Sequence, residues 1–132
     1  MEVLTLVRDV RACLTDDLRK DKYKGSPNPV AGHCYVFSEA IFHLLREKGM
    51  LGWKPMFIKH EDEPHWFLMH ESGMILDGTA DQFKSPVPYG NAKGKGFLTK
   101  QPSKRAYILI DRWRERQPVQ LKLPGAASSR YW

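Results

Sequence analysis

The sequence predicts an α+β fold in which a helical N-terminal part packs on a short antiparallel sheet. Apolar stripes of helical spacing flank a Pro/Gly-rich loop, and two short strand-like segments meet at Glu71-Ser72-Gly73, a hairpin signal. The length of 132 residues suits one domain with one core. The whole chain, 1–132, is therefore expected as a single domain. Its core spans roughly 26–83, followed by a basic loop and helix at 84–116 and a tail at 117–132.

Residues 3–19 predict the first helix, with Val3, Val7, Val10, Leu14 and Leu18 at spacings of three or four. Cys13 flanks this stripe and reads as a small core residue. Residues 20–33 predict a loop, charged at first and then rich in Pro and Gly. The second helix is expected over 34–48, with Phe37, Ile41, Leu44 and Leu45 buried and Gly49 as its stop. So apolar a helix is expected at the centre of the fold.

Residues 53–60 predict a strand with Pro55 near its start, and Glu61-Asp62-Glu63-Pro64 an acidic turn. Residues 65–70 and 74–79 predict the hairpin. A three-residue loop with Gly third fits a type I turn followed by a left-handed Gly bulge. That turn pairs Met69 with Ile75, Phe67 with Asp77 and His65 with Thr79, so His65 and Asp77 share a face. As diagonal neighbours their Cβ atoms would lie roughly 6–8 Å apart, within reach of a carboxylate–imidazole hydrogen bond. Residues 84–101 predict a long Gly/Lys/Pro loop of the kind that serves as a lid or binding loop. Residues 102–116 predict a third helix with Ala106, Leu109, Ile110 and Trp113 facing the core, and the tail carries Tyr131 and Trp132 as possible anchors.

Hydrophobic and charged residues make up 42% and 27% of the chain, ordinary globular usage. No apolar run is long enough to span a bilayer. The N-terminal residues lack a basic region and small-residue cleavage site, so a cytoplasmic protein with two free thiols, Cys13 and Cys34, is expected. The charge is uneven. Residues 1–83 carry 10 basic and 13 acidic side chains, a net of −3, and residues 84–132 carry 11 and 2, a net of +9. A basic C-terminal part is either a solvated surface or an attractor of nucleic acid or acidic protein.

Cys34 is the residue on which a function turns. It follows Ser26-Pro27-Asn28-Pro29-Val30-Ala31-Gly32-His33 and opens the second helix. The free N–H groups and dipole of a helix N-terminus favour thiolate over thiol. His65 can take the proton and Asp77 can orient the imidazole, so the order Cys, His, Asp describes a nucleophile, its base and its orienter. Taken singly, each residue has a plainer reading: an inert buried Cys, a strand His, and an Asp capping the turn at Gly78-Thr79.

A Gly-His-Cys triplet opening a helix, a His starting a strand and an Asp ending the next resemble the papain-like superfamily. The likeness is to its transglutaminase-like, circularly ordered and deamidase-like branches, and to the core order of arylamine N-acetyltransferases. His65-Trp66-Phe67-Leu68 with Ile75-Leu76-Asp77-Gly78-Thr79-Ala80-Asp81-Gln82-Phe83 is similar to an HxW…G…hDxTAxQF pattern of small bacterial and phage-encoded papain-fold proteins. The resemblance covers roughly residues 26–83 and specifies the triad order rather than a substrate. It implies a papain-like core with Cys34 as nucleophile, His65 as base and Asp77 as orienting carboxylate. Many members have Pro where this chain has Gly78, and Gly is expected to loosen the segment after Asp77. No Gln precedes Cys34 at the spacing many papain-like enzymes use for the oxyanion. Asn28 is the substitute, beside the Cys34 N–H.

Other residues complete the expectations. Asp81 and Gln82 are expected to cap or bridge the following loop, with Gln82 also able to approach the site. His33, His43, His60 and His70 have no evident catalytic pairing. A zinc site of Cys34, His65 and Asp77 with His33 or His60 is conceivable, but paired Cys spacing and a helical His-x-x-x-His are missing, so neither metal nor cofactor is expected. The expected function is a thiol-dependent hydrolase or acyltransferase acting on an amide or thioester bond of a protein, peptide or small acyl donor. Two alternatives come from the same residues. One is an inactive papain-like binding protein. The other is a nucleic-acid-binding module using Lys93, Lys95, Lys100, Lys104 and Arg105 with Arg112, Arg114 and Arg116, and Tyr89 and Phe97 as stacking rings.

Overall fold

The computed structural model describes residues 3–19, 21–28 and 32–118. Among them it is an α+β structure of three α-helices and one four-stranded antiparallel sheet. Helix α1 spans Val3–Arg11, well short of the expected end at residue 19. Its last turn tightens, with Cys13 N–H on the Val10 carbonyl (2.9 Å) and Leu14 N–H on that of Arg11 (3.1 Å). Thr15 and Asp17, whose side chains bond one another, then favour a 3₁₀ turn at Asp16–Leu18, because short polar side chains compete with helical backbone bonds. The stripe survives the break: Leu6, Val10 and Leu18 are buried, with Val3, Val7 and Leu14 packed against them.

Helix α2 (Cys34–Glu47) starts at the expected residue and buries Phe37, Ile41, Leu44 and Leu45. Gly49, at φ +78°, closes it; its N–H reaches the Arg46 carbonyl and that of Met50 the Leu45 carbonyl, both at 2.9 Å. The central placement holds, because α2 touches α1, β1, β2 and α3. Helix α3 (Lys104–Arg116) begins two residues later than expected, capped by Ser103, whose Oγ accepts the Ala106 N–H. Ser103 is in turn held by Glu39 of α2. Its N–H and hydroxyl donate to the two oxygens of that fully buried carboxylate at 2.8 and 2.6 Å. A carboxylate at a helix N-terminus meets the positive end of the dipole, so α3 is fastened to α2 by charge as well as by packing.

Strands β1 (Trp53–His60) and β2 (Glu63–His70) pair throughout, joined by Glu61 and Asp62 at φ +51° and +64°. The two-residue turn adds Glu63 and Pro64 to the strand expected over 65–70. Pro64 is tolerated because β3 (Ile75–Leu76) reaches β2 only at Leu68 and Met69. The pairing Met69 with Ile75 is the register that Glu71-Ser72-Gly73 predicts, with Gly73 at φ +95°. But β3 ends at Leu76, so the strand expected over 74–79 is shorter and its Phe67–Asp77 and His65–Thr79 pairs are not part of the ladder. Within the expected loop 84–101, β4 (Lys93–Gly94) pairs with β1 and sets the order β3-β2-β1-β4. A two-residue strand carries no alternation for a sequence to display.

The sheet is covered on both sides. Leu68 and Leu76 join the three helices in the larger core. Met56, Ile58 and Phe67, on the opposite face, pack with Val87, Phe83 and Tyr89 from the segment after β3. No helix among the described residues is long and apolar enough to cross a membrane. The expected tail, with Tyr131 and Trp132, lies outside the described residues from 119 onward.

Candidate active site

Cys34 occupies the first position of α2, His65 the third position of β2, and Asp77 the residue after β3. The hairpin register places His65 and Asp77 on one face, and their side chains meet: His65 Nε2 lies 2.7 Å from Asp77 Oδ2. Both are sealed from water, His65 at 0% exposure and the Asp77 side chain at 3%. Asp77 is fixed by two further donors. The Thr79 N–H donates to Oδ1 at 3.2 Å, and the Tyr89 hydroxyl donates to Oδ2 at 2.8 Å. Burial first, then the carboxylate, pushes the Tyr89 phenol well above its ordinary range, which keeps it a donor.

With Nε2 engaged by Asp77, the imidazole has Nδ1 left, which is buried and has no hydrogen-bond partner. Cys34 is the other group that acts on that ring. Its own hydrogen bond is a long one, 3.7 Å to the Pro64 carbonyl. Burial is the largest influence on His65 and opposes its charge, but Asp77 and Cys34 outweigh it and raise the pKa from 6.5 to about 9. The imidazole thus lies under the influence of a carboxylate and a thiol, both of which favour its charged form.

The segment after Asp77 is clamped, not loosened. Arg11 of α1 donates to the Gly78 carbonyl at 2.9 Å and bidentately to Asp81 at 2.8 and 2.5 Å. A Cβ at residue 78 would collide with the Phe37 ring, so the close approach itself calls for glycine. Of the two expected roles, capping or bridging, Asp81 makes a bridge, and it runs to α1. His33 is buried with its ring on the Thr15 carbonyl (2.9 Å), and His60 faces the Ser85 carbonyl (3.2 Å). Among the described residues no group of three or more His, Cys, Asp or Glu side chains is placed to hold a metal ion. Cys13 is buried and unbridged, its thiol pushed up by burial.

A small pocket over Cys34 is lined by Tyr23, Gly32, Tyr35, Pro64, Trp66 and Gln82. Gln82 thus comes to the site. Its Oε1 is buried without a partner, and its carbonyl accepts from Asn28 Nδ2 at 3.3 Å. Asn28, expected as oxyanion donor, is not among the pocket's lining residues; it braces the backbone of Gln82, which is. Tyr23 covers the pocket from the loop before α2, its hydroxyl on Glu63. That loop is organised by Arg19, buried at 5% exposure, which donates to the carbonyls of Tyr23, Ser26 and Asn28 at 3.2, 2.9 and 2.7 Å. Sequence reading overlooked Arg19, Glu39 and the Tyr89–Asp77 bond. Glu39 and Ser103 lie 64 residues apart, beyond any local pattern, and Arg19 bonds backbone carbonyls, which every residue has and no residue type marks.

The basic C-terminal part divides into two groups. Arg112 pairs with Asp17 (2.7 Å), Arg114 with Glu47 (2.6 Å), and Arg116 donates to the Ala12 carbonyl (3.0 Å). Lys93, Lys95, Lys100, Lys104 and Arg105 are exposed and pair with no carboxylate among the described residues. Phe97 stacks on Trp66 at 5.7 Å and Tyr89 packs edge-on to Phe67, so neither ring stands free. Comparison of the chain with family models, curated proteins and solved structures finds no match in any of the three.

Proposed function

We propose that the protein is a thiol-dependent hydrolase or acyltransferase of papain-like, transglutaminase-like type, acting on an amide or thioester bond. One observation carries the reading. A buried His65–Asp77 pair leaves a single unpartnered imidazole nitrogen, on a ring whose proton affinity is raised against burial first by Asp77 and then by the cysteine that opens α2. A structural His–Asp pair has no need of a cysteine at a helix start and a pocket above it.

In the proposed reaction His65 takes the Cys34 proton on Nδ1, and the thiolate attacks the substrate carbonyl carbon, forming a C–S bond. The carbonyl oxygen becomes an oxyanion facing the first-turn N–H groups of α2, with the Gln82 amide at the pocket edge as a further donor. The intermediate collapses as the bond to the leaving amine or thiol breaks, and His65 delivers its proton to that group. Water or an acceptor amine then attacks the thioester carbonyl and gives its proton to His65. The C–S bond breaks and the thiolate returns. Asp77 holds the imidazole tautomer throughout and neutralises the imidazolium beside it.

Iodoacetamide alkylation tests this, with mass spectrometry separating Cys34 from Cys13. Between pH 8 and 6 the Cys34 rate should hold nearly constant in the wild-type protein and fall roughly tenfold or more in His65→Ala, as an unassisted thiol does. An equal fall in both proteins would sink the enzyme reading, and comparing each protein with itself removes differences in access.

A further inference from the structure

Beside the small pocket over Cys34 lies a groove of about 590 Å³, and the two share Gly32, Tyr35, Pro64 and Trp66 in their walls. Tyr35 and Trp66 directly follow Cys34 and His65 in the chain and meet edge to face at 4.9 Å. The far wall comes from the basic segment. Leu98 is 87% exposed, yet its backbone is held in place by its N–H on the Tyr35 hydroxyl at 2.8 Å. Lys95, Lys104 and Arg105 line the same groove. An apolar floor, a fixed and exposed leucine and three unpaired cations ask for a ligand that is apolar in part and anionic in part.

We propose that this groove receives the substrate chain: an acidic peptide segment whose apolar side chain sits against Tyr35, Trp66 and Leu98 and whose carboxylates meet Lys95, Lys104 and Arg105. The assignment names the substrate class of the Cys34 reaction and to that extent rests on it. A nucleic acid fits less well. Base stacking needs an open ring face, and here Trp66 is stacked by Phe97 while Lys95 lies over Phe57 at 4.5 Å and Trp66 at 5.6 Å. Arg112, Arg114 and Arg116 are engaged within the protein, which leaves the cations between 93 and 105 alone to follow a phosphate track.

The test uses the full chain as Cys34→Ala, so that binding is read without turnover. A library of random dodecapeptides is selected on this protein, and the recovered peptides are labelled for fluorescence anisotropy. Asp and Glu within a few positions of Leu, Ile or Phe should be enriched. The labelled peptides should bind about tenfold more weakly to Cys34→Ala carrying Lys104→Glu and Arg105→Glu. Both reversals lie on exposed positions in the first turn of α3, where acidic side chains suit the helix dipole, so the fold should persist and circular dichroism checks it. No enrichment, enrichment of basic peptides, or binding indifferent to the reversals would overturn the proposal. So would an oligouridylate that displaces the peptides at lower concentration than they bind. Acidic-peptide binding with an unreactive Cys34 would leave the groove standing and remove the enzyme.

Discussion

Asp77 Oδ2 receives both the His65 ring and the Tyr89 hydroxyl, so the two contacts separate by mutation. In Asp77→Asn an amide replaces the carboxylate, and its NH₂ favours the tautomer with the imidazole proton on the wrong nitrogen. Turnover should fall on the order of a thousandfold with the fold retained. Tyr89→Phe leaves the carboxylate and removes one donor, so a loss of about tenfold in kcat with little change in KM is expected. Equal effects of the two variants would mean that Asp77 acts only through packing. Gly78 makes a different claim. Because a Cβ there meets the Phe37 ring, Gly78→Ala should lower stability by about 1–3 kcal/mol, read as a fall in the urea midpoint. An unchanged midpoint would show that Phe37 can move aside.

Secondary structure was legible wherever an element carries its own pattern. Strand β1 lies over the expected residues 53–60, and one glycine at 73 sets the β2–β3 register and with it the meeting of His65 and Asp77. Patterns that stop without punctuation were not legible: the stripe through Leu14 and Leu18 continues past the end of α1, carried by a 3₁₀ turn. Tertiary polar partners were the least legible. Glu39 sits in an apolar helix and looks like a solvated charge, yet it is fully buried on Ser103, which is distant in sequence. Its removal should therefore act on the α2–α3 joint. Glu39→Ala strands the Ser103 N–H and hydroxyl and should cost about 1–3 kcal/mol, with amide exchange rising first in the initial turn of α3. Exchange rising evenly along the chain would instead place the loss in the whole core.

The whole molecule binds a proton at His65 more tightly than its unfolded chain does, and this ties the site to stability. Burial works against the imidazolium, Asp77 and Cys34 work for it, and the balance lifts the pKa from 6.5 to about 9. A raised folded value stabilises the protein fully below the unfolded value and loses that contribution as pH climbs through the folded one. The window is therefore roughly pH 6.5 to 9. The other shifted groups act outside it: His43, lowered by burial from 6.5, adds stability with rising pH only up to its lower edge. Asp17, lowered to about 2 by its bond to Arg112, acts far below, and Cys13, raised by burial from an ordinary 9.0, begins to act only at its upper edge. Across the window the protein should lose on the order of 1–3 kcal/mol, a drop in Tm of about 5–10 °C for a chain of this size. The drop should shrink in Cys34→Ala, which keeps Asp77 as sole partner, and shrink further in Asp77→Asn. A flat profile in the wild-type protein, or the same slope in all three, would mean that His65 is neutral in the fold. A neutral ring can still accept the thiol proton at the moment of attack, so Cys34 would then be a resting thiol rather than one half of an ion pair.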